Sequence, residues 1–291
     1  MSWHERLKQK AMDAEGAAGS DIQTGDASMA EPEGKLQMAF EHCGESFIAS
    51  LSGALFWPAQ DALLVADLHL EKGSAFARSG QFLPPYDSQK TLAQLHRDIA
   101  RFKPARVICL GDSFHDVDAM SRMSPQVAYA LQRLVDQQEW IWLTGNHDPV
   151  VADHPGGVVR DGMALLGQAN LVTLCHEPGE AASIEGAQAA ALDPSTAGRL
   201  EICGHLHPVA RIPARGRILR RKCFLLTDER IIMPAYGSYT GGLELCDEAF
   251  SPLMTADARM LVIGRQTLAM HEAGLSAPRG RNKQGKGGPR D

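Results

Sequence analysis

The sequence predicts an α/β fold, and three observations predict it. Short runs rich in Val, Ile and Leu alternate with segments of helical periodicity. Several runs are almost wholly apolar, as strands covered on both faces are. Five of them end in the same kinds of side chain, Asp, His or Asn, where open α/β sheets place their ligand sites.

Taken in order, buried strands are expected at 62–69 (ALLVADLH), 105–112 (ARVICLGD), 139–148 (EWIWLTGNHD), 171–178 (LVTLCHEP) and 199–208 (RLEICGHLHP). Between them, DSQKTLAQLHRDIARF carries Leu92, Leu95, Ile99 and Phe102 at helical spacing behind a capping Asp87 or Ser88. SPQVAYALQRLVDQQ opens on Ser124 as N-cap with Pro125 in the first turn, and puts Val127, Leu131 and Leu134 on one face. Farther on, RKCFLLTDERIIMPAYG reads as a hairpin and RMLVIGR as a closing strand, while 179–198 reads as a surface loop or weak helix. Residues 1–40 and 269–291 read as a flexible extension and a disordered basic tail around a domain at 41–268.

Composition fits a globular chain of 291 residues, 44% hydrophobic and 22% charged, with length enough for a large core. The six cysteines form no C-x-x-C pair, and Cys109, Cys175 and Cys203 lie inside apolar runs, so buried free thiols are expected rather than a disulfide framework. No membrane span or signal-peptide core is present, which places the expectation in the cytoplasm. The net charge of −6 argues against a generic nucleic-acid binder, yet 209–222 holds six bases and no acid. An acidic total therefore hides a basic face.

The strand ends carry the chemistry. Asp67 and His69 follow the first run, Asp112 the second, Asn146 and His147 the third, His176 the fourth, and His205 and His207 the fifth. Singly, each has a plain structural explanation: a turn Asp, an Asx cap, a histidine satisfied by backbone. Together they deliver carboxylate, imidazole and amide oxygen to one edge, a donor set that suits Mn, Fe or Zn. Without a thiolate there, a structural Cys-zinc site is disfavoured. Asp67, His69, Asp112, Asn146, His176, His205 and His207 exceed the needs of one tetrahedral ion, so two divalent ions are expected, bridged by Asp112. Two such ions, about 3.5–4 Å apart, activate a bridging water and clamp the attacking and leaving oxygens of a displacement at phosphorus.

The ordered series DLH, GDSFH, GNHD, CHEP and GHLH resembles the calcineurin-like metallophosphoesterases over roughly residues 50–245. The resemblance implies a four-layer α/β/β/α sandwich of the metallo-dependent phosphatase type. It implies one ion on Asp67, His69, Asp112 and His207, a second on Asp112, Asn146, His176 and His205, and a substrate-facing His147. The flanks ALFWPAQDALLVADLHLEKGSAFARSGQFLPPYD, LCHEPG, GHLHPVARIPARGRILRRKCF and MPAYGSYTGG are similar to the bacterial ligase-associated DNA damage response endonucleases. That branch implies a manganese-dependent phosphodiesterase acting on DNA in repair, with a ligase and a helicase as partners.

The chain departs from the phosphoprotein phosphatases of that superfamily. Where those carry an acidic residue three positions after the metal-binding Asp, and then a phosphate-gripping arginine, this sequence has His115 and Asp116. A monoester dianion needs stronger charge neutralisation than a diester, so diesters are expected. His115 is placed with His147 as a catalytic candidate or its support. Lys72 and Arg78 after the first ligand pair, and Arg211, Arg215, Arg217, Arg220, Arg221 and Lys222 after the last, are candidates for holding phosphates, with Lys72, Arg78, Arg211 and Arg217 foremost. The leading reading is an endonuclease on single-stranded, nicked or looped DNA, with RNA not distinguished. A small-molecule nucleotide phosphodiesterase or pyrophosphatase is the second reading, and a non-catalytic scaffold the third.

Overall fold

The computed structural model describes residues 36–81, 83–84, 86–149, 155–180, 198–214 and 216–276. Two sheets face each other. The first runs in chain order through β1 (Gln37–His42), β2 (Glu45–Ser50), β3 (Leu55–Trp57), β4 (Ala62–Val65), β5 (Arg106–Leu110), β6 (Glu139–Leu143) and β7 (Val158–Arg160). Its first three pairings are antiparallel and those from β4 to β7 parallel. The second sheet uses β8 (Met163–Leu166), β9 (Asn170–Leu174), β10 (Gly198–Cys203), β12 (Arg217–Thr227), β13 (Arg230–Ile232), β14 (Arg259–Ile263) and β15 (Leu268–Glu272), in the order β15-β14-β12-β13-β10-β9-β8. There β9, β10 and β13 are parallel neighbours. β11 (Val209–Ala214) pairs antiparallel with the first half of β12.

Side-chain alternation along these strands builds the layers. Leu64, Ile108, Leu110, Ile141 and Leu143 point inward and meet Val172, Leu174, Leu200, Ile202, Phe224 and Leu226 of the second sheet. Leu63, Val65, Val107, Cys109, Trp140 and Trp142 point the other way, toward the helices. Four helices lie in this region: α1 (Lys72–Arg78), α2 (Asp87–Phe102), α3 (Ala119–Arg122) and α4 (Pro125–Val135). Leu92, Leu95 and Ile99 of α2 and Val127, Leu131 and Leu134 of α4 are buried on that outer face, as their spacing requires. Among the described residues, the outer face of the second sheet is covered by β11, the 3₁₀ turn Glu248–Phe250 and irregular chain, with Phe250 and Ala210 over Cys175, Cys203, Cys223 and Met260. These cysteines and Cys109 are free and buried.

Ser124 caps α4, its hydroxyl accepting from Val127 N at 3.3 Å with Pro125 next. The cap of α2 differs from expectation. Tyr86 occupies the N-cap without a side-chain bond. Asp87 accepts instead from Gly73 N (2.8 Å), and the Ser88 hydroxyl accepts from Glu71 N (2.8 Å) and donates to Glu71 Oε1 (2.9 Å). Glu71 lies in the left-handed region at φ 65°, so its amide and the start of α1 need those partners more than α2 does. Three boundaries also move. Residues 37–40 open β1, residues 269–272 belong to β15, and β15 rather than 259–265 is the last strand. Cross-strand pairing recruits these short edges where sequence alone shows weak periodicity. Residues 1–35, 181–197 and 277–291 and Arg215 lie outside the described residues. No described helix is long and apolar enough to cross a membrane.

Candidate metal centre

The carboxyl ends of β4, β5 and β6 in one sheet and of β9 and β10 in the other open onto one place. Asp67 (0% exposed), His69, Asp112 and His176 are buried there, His205 and His207 partly so, and Asn146 and His147 are exposed. All of the predicted ligands converge, and the local backbone is costly. Asp67, His69, Asp112, His205 and His207 sit at φ of 53°, 44°, 47°, 67° and 47°. Each such non-glycine conformation costs about 1–3 kcal/mol and persists only where its surroundings enforce it.

The enforcing bonds are visible. The turns after β4 and β5 are laced together by Asp67 N to Gly111 O (3.3 Å), His69 N to Asp112 O (2.9 Å) and Leu70 N to Ser113 O (2.9 Å). The Asp148 carboxylate, buried at 1% exposure, accepts from the amides of Asp112 (3.0 Å), Gly145 (3.0 Å), Ser113 (2.8 Å) and Phe114 (3.1 Å). Burial and then the neighbouring Asp112 charge push its carboxyl up to about 6, against the pull of those amides. Gly111 (φ 78°) lets the His176 ring lie against the backbone, since a Cβ there would overlap the imidazole.

The side chains face one another with like polarity. His176 Nδ1 lies 3.0 Å from Leu110 O; a carbonyl only accepts, so Nδ1 donates and Nε2 bears the lone pair. That Nε2 is 2.9 Å from Asn146 Oδ1, 3.5 Å from Asp112 Oδ1 and 3.2 Å from His205 Nδ1. Acceptors so gathered are the arrangement a cation resolves. The second gathering is Asp67, His69 and His207, with His207 Nε2 3.1 Å from Asp67 Oδ1 and His69 Nε2 3.7 Å from Asp112 Oδ2. Both ring nitrogens of His69, and Nε2 of His207, are buried without a hydrogen bond. Burial, and then the electrostatic influence of His207, Lys72, His147 and His115, hold His69 down at about 2, so its imidazole is neutral and ready to ligate. The donor set of carboxylates, imidazoles and an amide oxygen fits divalent metal ions.

His147 donates its backbone N–H to Asp112 Oδ1 (2.9 Å) and Nδ1–H to His115 O (2.9 Å), which turns Nε2 away from that carbonyl. The His115 ring stacks against it with centroids 5.2 Å apart. Burial, Lys72 and His147 lower the proton affinity of His115. Lys72 opens α1 beside this pair, its ammonium 5.8 Å from the Phe76 ring centroid. Arg78, at the other end of α1, is exposed and pairs with Asp118. On the β11–β12 ribbon, Arg211 and Arg220 both pair with Glu244, at 3.3 and 2.9 Å, and Arg217 stands exposed at the tip. Lys222 is spent internally: its ammonium donates to Ala235 O, Gly237 O and Thr240 Oγ1, and burial brings it down to about 8.

Sequence reasoning missed two participants and gave a third, Lys222, a phosphate-holding role that its internal bonds replace. Asp148 stood in the GNHD run, and its place beside the ligand candidate Asn146 and the catalytic candidate His147 was the available signal. Glu177 follows His176 and brings Oε1 within 3.8 Å of His205 Nδ1. For the inward use of Lys222 the available signal was strand alternation, which places it on the face of β12 that Val209 and Arg220 share.

Residues 62–176 match the family model of the calcineurin-like phosphoesterases. Among solved structures, a nuclease MPE from Pseudomonas putida is 26% identical with a TM-score of 0.56, covering 80% of this chain and 100% of that one. The phosphoesterase YfcE from E. coli is 13% identical with a TM-score of 0.35, over 73% of this chain and 98% of that one, too distant to bear on function. A search of the curated proteins found no match.

Proposed function

We propose that this chain, whose residues 62–176 match the calcineurin-like phosphoesterases, is a metal-dependent phosphoesterase and that the ester it cleaves is a nucleic-acid phosphodiester, as a manganese-dependent DNA endonuclease. In this reading Asp67, His69, Asp112 and His207 hold one ion and Asp112, Asn146, His176 and His205 the other. When bound, such a pair supplies Lewis-acid neutralisation of the phosphoryl oxygens and activation of water at neutral pH. The chain's own residues do the rest. His147, exposed and oriented through Nδ1, holds at Nε2 the proton that passes to the leaving oxygen as the P–O bond breaks. His115 keeps that ring in place by stacking and through its carbonyl, and Lys72 adds positive charge beside both.

The observation that carries the substrate is the β11–β12 ribbon. It leaves the site directly after His207, and no acidic residue occurs from 202 to 227. Arg217 pairs across from Ala214, seven residues beyond His207, so the ribbon extends about 20 Å at strand rise. A monoester or pyrophosphate has nothing to place that far away, whereas a polynucleotide has phosphates along the whole path. The 26% identical nuclease points the same way. At the position of a phosphate-gripping arginine stands Asp116, itself bound by both terminal nitrogens of Arg122 at 2.8 Å, which supports a diester. The place in DNA repair, beside a ligase and a helicase, is part of this proposal and rests on the flanking motifs.

The test is competition among substrates with manganese: a single-stranded oligonucleotide, p-nitrophenyl phosphate and pyrophosphate. Selective cleavage of the oligonucleotide supports the reading. Faster turnover of the monoester or pyrophosphate moves the function to a small-molecule hydrolase.

A further inference from the structure

We propose that segment 233–245, fastened by Lys222, is a brace for one of the two ion subsites and not the other. The inference rests on the two-ion reading above. It starts from strain: Asp67 and His207 are both held in the left-handed region, and something must oppose their relaxation.

The segment grips both. Tyr236 N donates to Ala66 O (2.8 Å) and Gly237 N to Asp67 O (3.1 Å), fixing the backbone on each side of the Asp67 carboxylate. Gly237 packs so closely that a Cβ would overlap Leu68 O, and a Cβ on Gly242 would overlap His207 O. Just past His207, Val209 N donates to Leu243 O (2.8 Å) and Leu245 N returns a bond to Val209 O (3.0 Å). Met233 N donates to Cys203 O (2.8 Å) at the end of β10, and the other described hydrogen bonds of this segment reach none of Asn146, His176 or His205. Those are held by Leu110 O and by one another, and His205 through its amide to the Asp67 carboxylate.

Two anchors fix the brace. Tyr236 O–H donates to the buried Asp98 carboxylate of α2 at 2.8 Å. The Lys222 ammonium uses its three donors on Ala235 O (2.6 Å), Gly237 O (3.0 Å) and Thr240 Oγ1 (3.2 Å), tying the segment to β12. Lys222 touches no ligand side chain in these bonds and is therefore a positioning residue. Its removal frees the backbone that carries Asp67 and His207, and outer partners of this kind are typically worth about 10–100-fold in metal affinity.

The experiment is a manganese titration of the metal-stripped full chain by calorimetry, with electron paramagnetic resonance at each step, on wild type, Lys222→Met and Gly242→Ala. Wild type is expected to take two ions per chain and to show a spin-coupled signal at saturation. In both variants one ion keeps its affinity within about 2-fold while the other weakens about 10–100-fold, so that an uncoupled six-line spectrum persists where wild type is coupled. Thr240→Val, which removes one of the three acceptors, should weaken the same ion about 5-fold, the worth of one hydrogen bond, and serves if Lys222→Met does not fold. Equal weakening of both ions, or of neither, overturns the brace. A wild type that binds a single ion defeats the two-ion reading instead, and the brace with it.

Discussion

Replacing Asp148 by Asn removes one carboxylate oxygen from a site where four backbone amides converge. Oδ1 accepts from Asp112 and Gly145, and Oδ2 from Ser113 and Phe114. The single oxygen of the introduced carboxamide can serve one of these pairs; its NH2 group faces the other and strands two buried donors. At about 1–3 kcal/mol for each stranded donor, the loss is about 2–6 kcal/mol, a large part of the roughly 5–15 kcal/mol that keeps an ordinary domain folded. The amides at stake belong to the turns that present Asp112 and Asn146, so manganese affinity falls together with stability. Urea unfolding of the metal-free full chain, read with a manganese titration, measures both. A change under about 1 kcal/mol with unaltered manganese binding would refute the reasoning, because the four amides would then not depend on the carboxylate.

Three further outcomes follow from the same geometry. His147→Ala should bind manganese as wild type does but lose about 10²–10⁴-fold in kcat, and loss of an ion in the titration would show that His147 is a ligand instead. His69 has its proton affinity lowered in the fold to about 2, against 6.5 in the open chain, so its stabilising contribution is complete above pH 6.5 and falls by about 1.4 kcal/mol per unit as pH drops below it. The difference in urea-unfolding free energy between wild type and His69→Gln, followed in the metal-free protein from pH 7 to pH 5, should show that slope, because the subtraction removes Asp148 and His115, whose own shifts act in the same window. Finally, Arg217→Ala with Arg220→Ala should flatten the salt dependence of DNA binding by about 1–2 in the log–log slope, and an unchanged slope would remove the ribbon from the phosphate path.

Much of the candidate metal centre is readable from sequence because its proposed ligands are encoded twice, by side-chain type and by place at the end of an apolar run. Leu110 and Leu143 belong to strands that name their own boundaries, and Asp112 and Asn146 stand just beyond them. β1 escaped notice because its residues alternate only partly buried with exposed, at a sheet edge, where pairing with β2 rather than intrinsic pattern makes the strand. Asp148, and the internal role of Lys222, escaped for another reason. Their partners are backbone amides and carbonyls brought from remote positions, and a sequence has no letter for a carbonyl. The left-handed conformations at Asp67, Asp112 and His207 are likewise invisible in residue type, since nothing but tertiary bonding makes an Asp or His adopt them. Asp87 and Ser88 are instructive too: the sequence shows good capping residues, and the fold uses them on the neighbouring turn.

The central claim, a two-ion endonuclease, is tested most directly by incubating a circular single-stranded DNA with the purified protein and manganese, with Asp112→Ala as the control. The account predicts linear products that require both manganese and Asp112, since a circle offers no end to an exonuclease and the variant lacks the carboxylate shared by both ions. A circle left intact, or cutting that survives Asp112→Ala, would contradict it.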